Sequence, residues 1–537
     1  MSQYTAISFA PVQGFIEKSR KLRDLFGASL ILSYLSYSLV QVAKQHPNVI
    51  DIISPGGIDL QKGMPNRILI KGEFSRNDAA NTLLDTWQTI LEESRGWIEK
   101  KIPIKDNYEW ELEWRRWGMY TWEIFWGQGD SPDSAMRDLE RRKLRGDWTG
   151  INWTGDSSSL TGTDAIAWQK LGKVDSQPGR QLTPEEKQEL QDFYTQLSRV
   201  LEDCPPDKQP EGKFLAANER LSIPELVKRL VTREDIGRKV DISPLEQGFT
   251  EIIRKTENGT GHWTGWFLGD GDKVGDKIKK IDETEGDDGV KKFSAVMRDW
   301  GTKFYQKYSD NSQQSSVNKV RVVYAGGDDF LGVIHSSNQS EAVPPIKAWE
   351  WLMQLPEEWR ELQDKVKEID KEIDFTFSVG FVWVAPSVPQ RDVLQHCREA
   401  EQVAKKLGRN RVTIRVVFNS GQFVQWTCPW DELKILQAYR DRDKKGWGEQ
   451  QNWSYIYNDL AHLKARHAIV DNVKEENMEI DMALALLNIY FPREGQSLAD
   501  YLQENWKEIA GDSTYRELIN WITGLINVGW YLCADTQ

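Results

Sequence analysis

RVVYAGGDDFLGVIH, residues 321–335, runs two glycines into two aspartates between two apolar, β-branched runs. Such runs form strands, and Gly and Asp turn a chain back on itself, so the stretch predicts a hairpin. One polar residue would suffice for the turn, yet Asp328 and Asp329 stand side by side. Adjacent carboxylates raise each other's pKa unless a cation lies between them. Gly326 and Gly327 open backbone conformations closed to other residues and let phosphate oxygens approach the main chain. Mg²⁺ (or Mn²⁺) is the cation that joins one or two carboxylates to a nucleotide's phosphates.

Outward from the hairpin, residues 262–418 alternate strands and helices. HWTGWFLGDGD (262–272) reads as a strand ending in acid, followed by a charged helix. IKAWEWLMQL is a helix, FTFSVGFVWV a strand, VLQHCREAEQVAKKLG a helix and RVTIRVVF a strand. The order is βαββαβ with an extra helix and strand, a ferredoxin-like or palm arrangement. In that sheet the first strand lies beside the hairpin strand, so Asp270 and Asp272 meet Asp328 and Asp329. Three or four carboxylates from two strands can hold two metal ions about 3.5–4 Å apart, one activating a hydroxyl and the other steadying a triphosphate. A lone GGDD is an ordinary turn; the second acidic strand end is what suggests phosphoryl transfer.

Two further features lie nearby. In FTFSVGFVWV, Phe375, Phe377, Val379, Phe381 and Trp383 share one face, leaving Thr376, Ser378 and Gly380 on the other. That small-residue face leaves room for a base or ribose, or equally for a closely packed helix. In the next helix Val393, Cys397, Ala400, Ala404 and Leu407 form the buried stripe, with Lys405 and Lys406 off it. Lys405 can reach phosphates from there, although a solvated lysine is the commoner case.

The chain has 537 residues, enough for three or four domains. Residues 1–170 read as strand, helix, strand, helix, strand: a first α+β sandwich without the acidic tip. Residues 171–250 open with a polar, proline-containing linker and become mainly helical, with Thr183, Pro184 and Glu186 predicting a capped helix start. The palm occupies 251–425, with a polar loop at 309–318, and residues 426–537 read as a Trp-rich helical bundle. The 24 tryptophans suit either filled cores or partner surfaces. A net charge of −13 argues against a chain that grips nucleic acid over much of its own surface. Cys204, Cys397, Cys428 and Cys533 are far apart and form no CxxC pair, so neither a disulfide framework nor a zinc ribbon is indicated, and a reducing cytoplasm fits. The apolar run after Lys18 resembles a signal peptide, but a strand precedes it and serines interrupt it, so a buried helix and no membrane segment are expected.

FLGDGDKVGDKI, VVYAGGDDFLGVI, FSVGFV and AEQVAKKLGRNRV resemble the palm of GGDEF-type nucleotide cyclases. The Asp-Asp version is similar to that of the large subunit of type III CRISPR effector complexes. FAPVQGFIEKSRKLRDLFGASLILSYL, MPNRILI, SSLTGTDAI and ERLSIPELVKR resemble further signatures of that family, in its order. The resemblance implies an α+β fold: two ferredoxin-like palm domains (GGDEF-cyclase-like), a helical middle domain and a C-terminal helical bundle. It implies two ATP molecules bound between the palms and joined into cyclic oligoadenylate when target RNA binds, in antiviral defence. On that basis Asp270, Asp328 and Asp329 hold Mg²⁺, Gly326 and Gly327 admit phosphates, Ser378 and Gly380 border a base, and Lys405 steadies a triphosphate. Partners would be the other subunits of the complex, crRNA and target RNA. The family's HD nuclease is not expected, since none of the six histidines precedes an aspartate. With no zinc site available, packing alone is expected to hold the middle domain. A scaffold capping the crRNA 5′ end, with little catalysis, is the alternative. A diguanylate cyclase fits less well, because the hairpin is GGDD and no sensor domain precedes it.

Overall fold

The computed structural model describes residues 3–55, 63, 65–104, 107–146, 150, 156–170, 182–216, 218–242, 245, 249, 251–252, 254, 261–309, 319–338, 340–469, 477–492, 498–511 and 515–533. The expected linker at 173–181 and most of the polar loop, 310–318, lie outside them. Two compact units divide the chain: Met1–Glu251 with Ile278–Thr302 and Val323–Gly327, and Ile252–Lys277 with Lys303–Val322 and Asp328–Gln537.

The first unit contains β1 (Tyr4–Ala10), α1 (Val12–Glu17), α2 (Leu22–Gln45), β2 (Val49–Ser54), β3 (Arg67–Gly72), α3 (Arg76–Lys101), α4 (Asn107–Tyr120), β4 (Glu123–Gly129) and α5 (Pro132–Lys143). Helices α6 (Pro184–Leu201), α7 (Ile223–Leu230) and α8 (Glu234–Gly237) follow. Its antiparallel sheet has the order β2-β3-β1-β4, the ferredoxin-like order. Helix α2 is, among the described residues, the one long and apolar enough to cross a membrane, and 72% of its most apolar window is buried inside the protein. Helix α6 starts as its sequence predicts: Thr183 accepts from the Glu186 backbone, and Glu186 returns a bond to the Thr183 N–H.

Packing alone does not hold the helical middle. The Arg229 guanidinium of α7 makes bidentate pairs with Asp24 of α2 and with Glu219, and donates to the Phe214 carbonyl. None of the three charged residues is more than 2% exposed. Lys228 donates to the Phe15 and Lys18 carbonyls, and Glu225 accepts from Ser158 and Thr161. The SSLTGTDAI and ERLSIPELVKR signatures thus meet the N-terminal one in a buried polar cluster. Apolar periodicity does not reveal such a cluster, because its members occupy positions that would otherwise read as exposed.

The second unit carries most of a six-stranded sheet. The elements of this part of the chain are β5 (Thr264–Gly271), α9 (Val274–Ser309, broken at Gly286), β6 (Lys319–Ala325), β7 (Phe330–His335), α10 (Pro345–Ile369), β8 (Phe377–Val384), α11 (Gln390–Lys406), β9 (Arg411–Val417) and β10 (Phe423–Pro429), with residues 278–302 of α9 and 323–325 of β6 counted in the first unit. Then come α12 (Ser454–Ala465), α13 (Asn477–Tyr490), α14 (Leu498–Ala510) and α15 (Tyr515–Cys533). The order β10-β9-β8-β5-β7-β6 contains the ferredoxin-like set β8-β5-β7-β6, extended by β9 parallel to β8 and by β10 antiparallel to β9. Strand β10 spans residue 425, where a helical bundle was expected to begin. It lies at the edge of the sheet after the polar turn Asn419-Ser420-Gly421-Gln422, and its pairing with β9 defines it.

Tryptophan fills cores in both units. Trp87 and Trp110 in the first, and Trp266, Trp349, Trp359 and Trp383 in the second, are fully buried. On the large-residue face of β8, the Phe377 ring stacks between Trp359 of α10 and Trp430. Both indoles donate to β8 carbonyl groups or the residues just before it, Trp359 to Phe375 and Trp430 to Phe377.

Candidate functional site

Strand β5 pairs with β7 only as far as Gly269 opposite Phe330, and the next residue, Asp270, emerges beside the hairpin tip. The Gly271 N–H donates to the Asp328 carbonyl at 3.1 Å, which extends the contact by one step and fixes Asp328 against the end of β5. The tip itself needs glycine: Gly327 has φ +124°, and open space lies where its side chain would be. Register therefore brings together acidic groups that are 58 positions apart in the chain, Asp270 and Asp328. Their carboxyl groups are in hydrogen-bond contact.

Burial raises the Asp270 carboxyl above its ordinary value and Asp272 adds to the effect, while Lys405 opposes it. For Asp329 the surrounding protein is again the larger cause, followed by the charges of Asp270, Asp328 and Glu401, and the carboxyl is driven well above the usual carboxylate range. Part of Asp329 stays open to water, which screens these effects. Lys405 Nζ forms ion pairs with both Asp270 and Glu401. Glu401, one turn earlier on α11, was not singled out in the sequence; its i,i+4 spacing to Lys405 was the available signal.

Asp272 has a separate task. Its carboxylate accepts from Thr376 Oγ1 at 2.9 Å, Ser378 Oγ at 2.7 Å and the Asn410 backbone N–H at 2.9 Å. It ties the end of β5 to β8 and to the turn that follows α11. Ser378 is thus fully buried with its hydroxyl engaged. Gly380 faces α11, and a Cβ there would overlap the Cys397 carbonyl oxygen. Of the two open readings of this face, a closely packed helix describes what occupies it.

Among the described residues no group of three His, Cys, Asp or Glu side chains is arranged to hold a metal ion by itself. The donor chemistry nonetheless suits Mg²⁺, which takes one or two carboxylates and completes its shell with water and phosphate oxygens. Asp270 and Asp328 are two hard oxygen donors in contact.

Residues 264–413 match the family model described as Cas10/Cmr2, second palm domain, and residues 4–91 match CRISPR-associated protein Cmr2, N-terminal. The chain carries a Cas10/Cmr2 palm. The match runs from the first residue of β5 into β9, so this Cas10/Cmr2 segment contains the acidic tip, Asp272 and Lys405. Solved structures similar to the chain include "Type III-B Cmr-beta Cryo-EM structure of the Apo state" (TM-score 0.52, 10% identity, covering 92% of this chain and 78% of that one). That likeness extends the shared fold beyond the two matched segments. Others are "Crystal structure of Csm1-Csm4 cassette in complex with cA3" (TM-score 0.44, 13% identity, 99% and 69% covered) and "Crystal structure of Csm1 in T.onnurineus" (TM-score 0.45, 13% identity, 99% and 70% covered). No curated protein matches the chain.

Proposed function

We propose that this Cas10/Cmr2 palm converts ATP to cyclic oligoadenylate within a type III CRISPR effector complex, switched on by target RNA. The observation that carries the reading is the contact between the Asp270 and Asp328 carboxyl groups at the end of β5, with Asp329 beside them. A protein gains nothing in stability by crowding carboxylates, so a cation-bound substrate is the natural reason for them. Asp270, Asp328 and Asp329 would hold Mg²⁺ or Mn²⁺, which supplies charge neutralisation and activates the attacking hydroxyl. Gly326 and Gly327 let the phosphates approach the main chain, and Lys405 neutralises the triphosphate. Ser378 and Gly380 serve the site indirectly in this proposal, by locking Asp272 and seating α11. Each linkage forms when a ribose hydroxyl attacks the α-phosphorus and pyrophosphate leaves. The other subunits, crRNA and target RNA complete the assembly, and the four divisions 1–170, 171–250, 251–425 and 426–537 remain the proposed domain plan.

The scaffold alternative draws on one observation: Lys405 already neutralises Asp270 without any metal. ATP turnover by the assembled complex, with and without complementary RNA, separates the two. RNA-dependent oligoadenylate is expected from the unmutated complex and none from Asp328→Ala with Asp329→Ala. An unchanged yield from the double variant removes the catalytic assignment; no product from the unmutated complex under any target condition leaves the scaffold.

A further inference from the structure

Lys405 sits between two carboxylates of unequal accessibility. Asp270, at the end of β5, has a side chain 29% exposed, whereas that of Glu401 on α11 is 8% exposed. A cation lost from the deeper carboxylate would leave a buried charge uncompensated, while Asp270 can exchange its partner at the rim. Lysine is a compact charge on a flexible stem, able to keep one partner while changing the other. Burial, followed in order by Lys405's opposing contact and the charges of Asp270 and Asp272, acts on Glu401, and the net effect is to raise its carboxyl. The ammonium is therefore what keeps a second carboxylate tolerable beside the acidic tip.

We infer that Glu401 is a positioning residue that tethers Lys405, and that the Lys405 ammonium is the resident counter-cation of the nucleotide-free site, handed from Asp270 to the triphosphate when a divalent ion and nucleotide arrive. The inference rests on the nucleotidyl-transfer reading above and adds to it a residue and an exchange. Before nucleotide binds, Lys405 and the divalent ion compete for Asp270. After it binds, Glu401 holds the ammonium where the phosphates lie, so its entropy of ordering is already spent.

Mn²⁺ binding to the full chain by electron paramagnetic resonance, and AMPPNP binding by calorimetry, test this without any turnover. Without nucleotide, Lys405→Met is expected to tighten Mn²⁺ binding about 10-fold, the loss of one partly buried competing ion pair. Glu401→Gln is expected to weaken AMPPNP binding by roughly 3- to 10-fold while leaving nucleotide-free Mn²⁺ binding no tighter than in the parent. Unchanged Mn²⁺ affinity in Lys405→Met overturns the exchange, and unchanged AMPPNP affinity in Glu401→Gln overturns the tether. Asp270→Asn provides the separation from the underlying reading. If the unmutated chain with AMPPNP binds no Mn²⁺ that this variant loses, the nucleotidyl-transfer site itself is refuted. If it does and Lys405→Met changes nothing, only the present inference falls.

Discussion

Asp270 on β5 and Asp272 just past its end are two positions apart and meet different partners. Asp270 takes an ammonium and a neighbouring carboxyl group; Asp272 takes two hydroxyls and a backbone N–H. The sequence marked both as acidic strand-end residues, but only the contacts separate a carboxylate paired with an ammonium from one that locks two strands and a turn together. Asp272→Ala leaves three donors without their acceptor and is expected to cost about 2–4 kcal/mol in urea unfolding. Asp329 makes the opposite case. The surrounding protein and then the neighbouring acids raise its carboxyl although the residue is exposed, so its charge is tolerated at a cost that water reduces. Asp329→Asn, melted at neutral pH with a chelator present, is expected to raise Tm while abolishing turnover; a lowered Tm would mean the charge is already well compensated.

At the level of elements, helix α7 is anchored to α2 by ions as well as by apolar contact. Burial alone would drive both the Asp24 and Glu219 carboxyls upward, but Arg229 overcomes it, holding Asp24 below its ordinary value and Glu219 at about 2. Both folded-state values are depressed, so the stabilisation is complete above the unfolded value, 4.5 for Glu219, and is lost as pH falls toward about 2. Urea unfolding from pH 6 down to pH 2.5 should show this loss. Arg229→Met takes the guanidinium from two buried carboxylates, leaving Asp24 its backbone N–H donors and Glu219 its pair with Lys21, and is expected to cost about 3–5 kcal/mol near neutral pH. The same variant should lose the acid sensitivity, since its carboxylates no longer gain from ionisation. Legibility followed burial type here. Periodicity predicted α2, α3, α10 and α11 because their apolar stripes are their contacts, and Thr183-Pro184-x-Glu186 predicted the start of α6. Strand β2 and helix α4 were missed: the exposed Ile50 and the Trp-rich, charged face of α4 break the simple patterns.

For the whole molecule, limited proteolysis tests the fourfold domain plan. Cuts are expected near 170–185, which is polar and contains prolines, and near 245–260, which ends in a polar, glycine-containing run. The 423–429 segment should resist, because β10 is hydrogen-bonded into the palm sheet, so any cut before the C-terminal helices should fall after it. Cutting within 423–429 in the native protein would detach β10 from that sheet in solution. The sequence by itself determined the order of strands and helices around the hairpin, the two acidic strand ends and the glycines between them, and through these motifs the family. These are local quantities: side-chain period, turn chemistry and motif spacing depend on neighbours along the chain. Tertiary structure alone decided that Ser378 locks Asp272, that Gly380 faces a helix, that Glu401 shares Lys405 with Asp270, and that Arg229 joins Asp24 to Glu219. Each of those outcomes is a meeting of residues distant in sequence or of equal-looking faces, and partner, distance and burial exist only once the chain has folded.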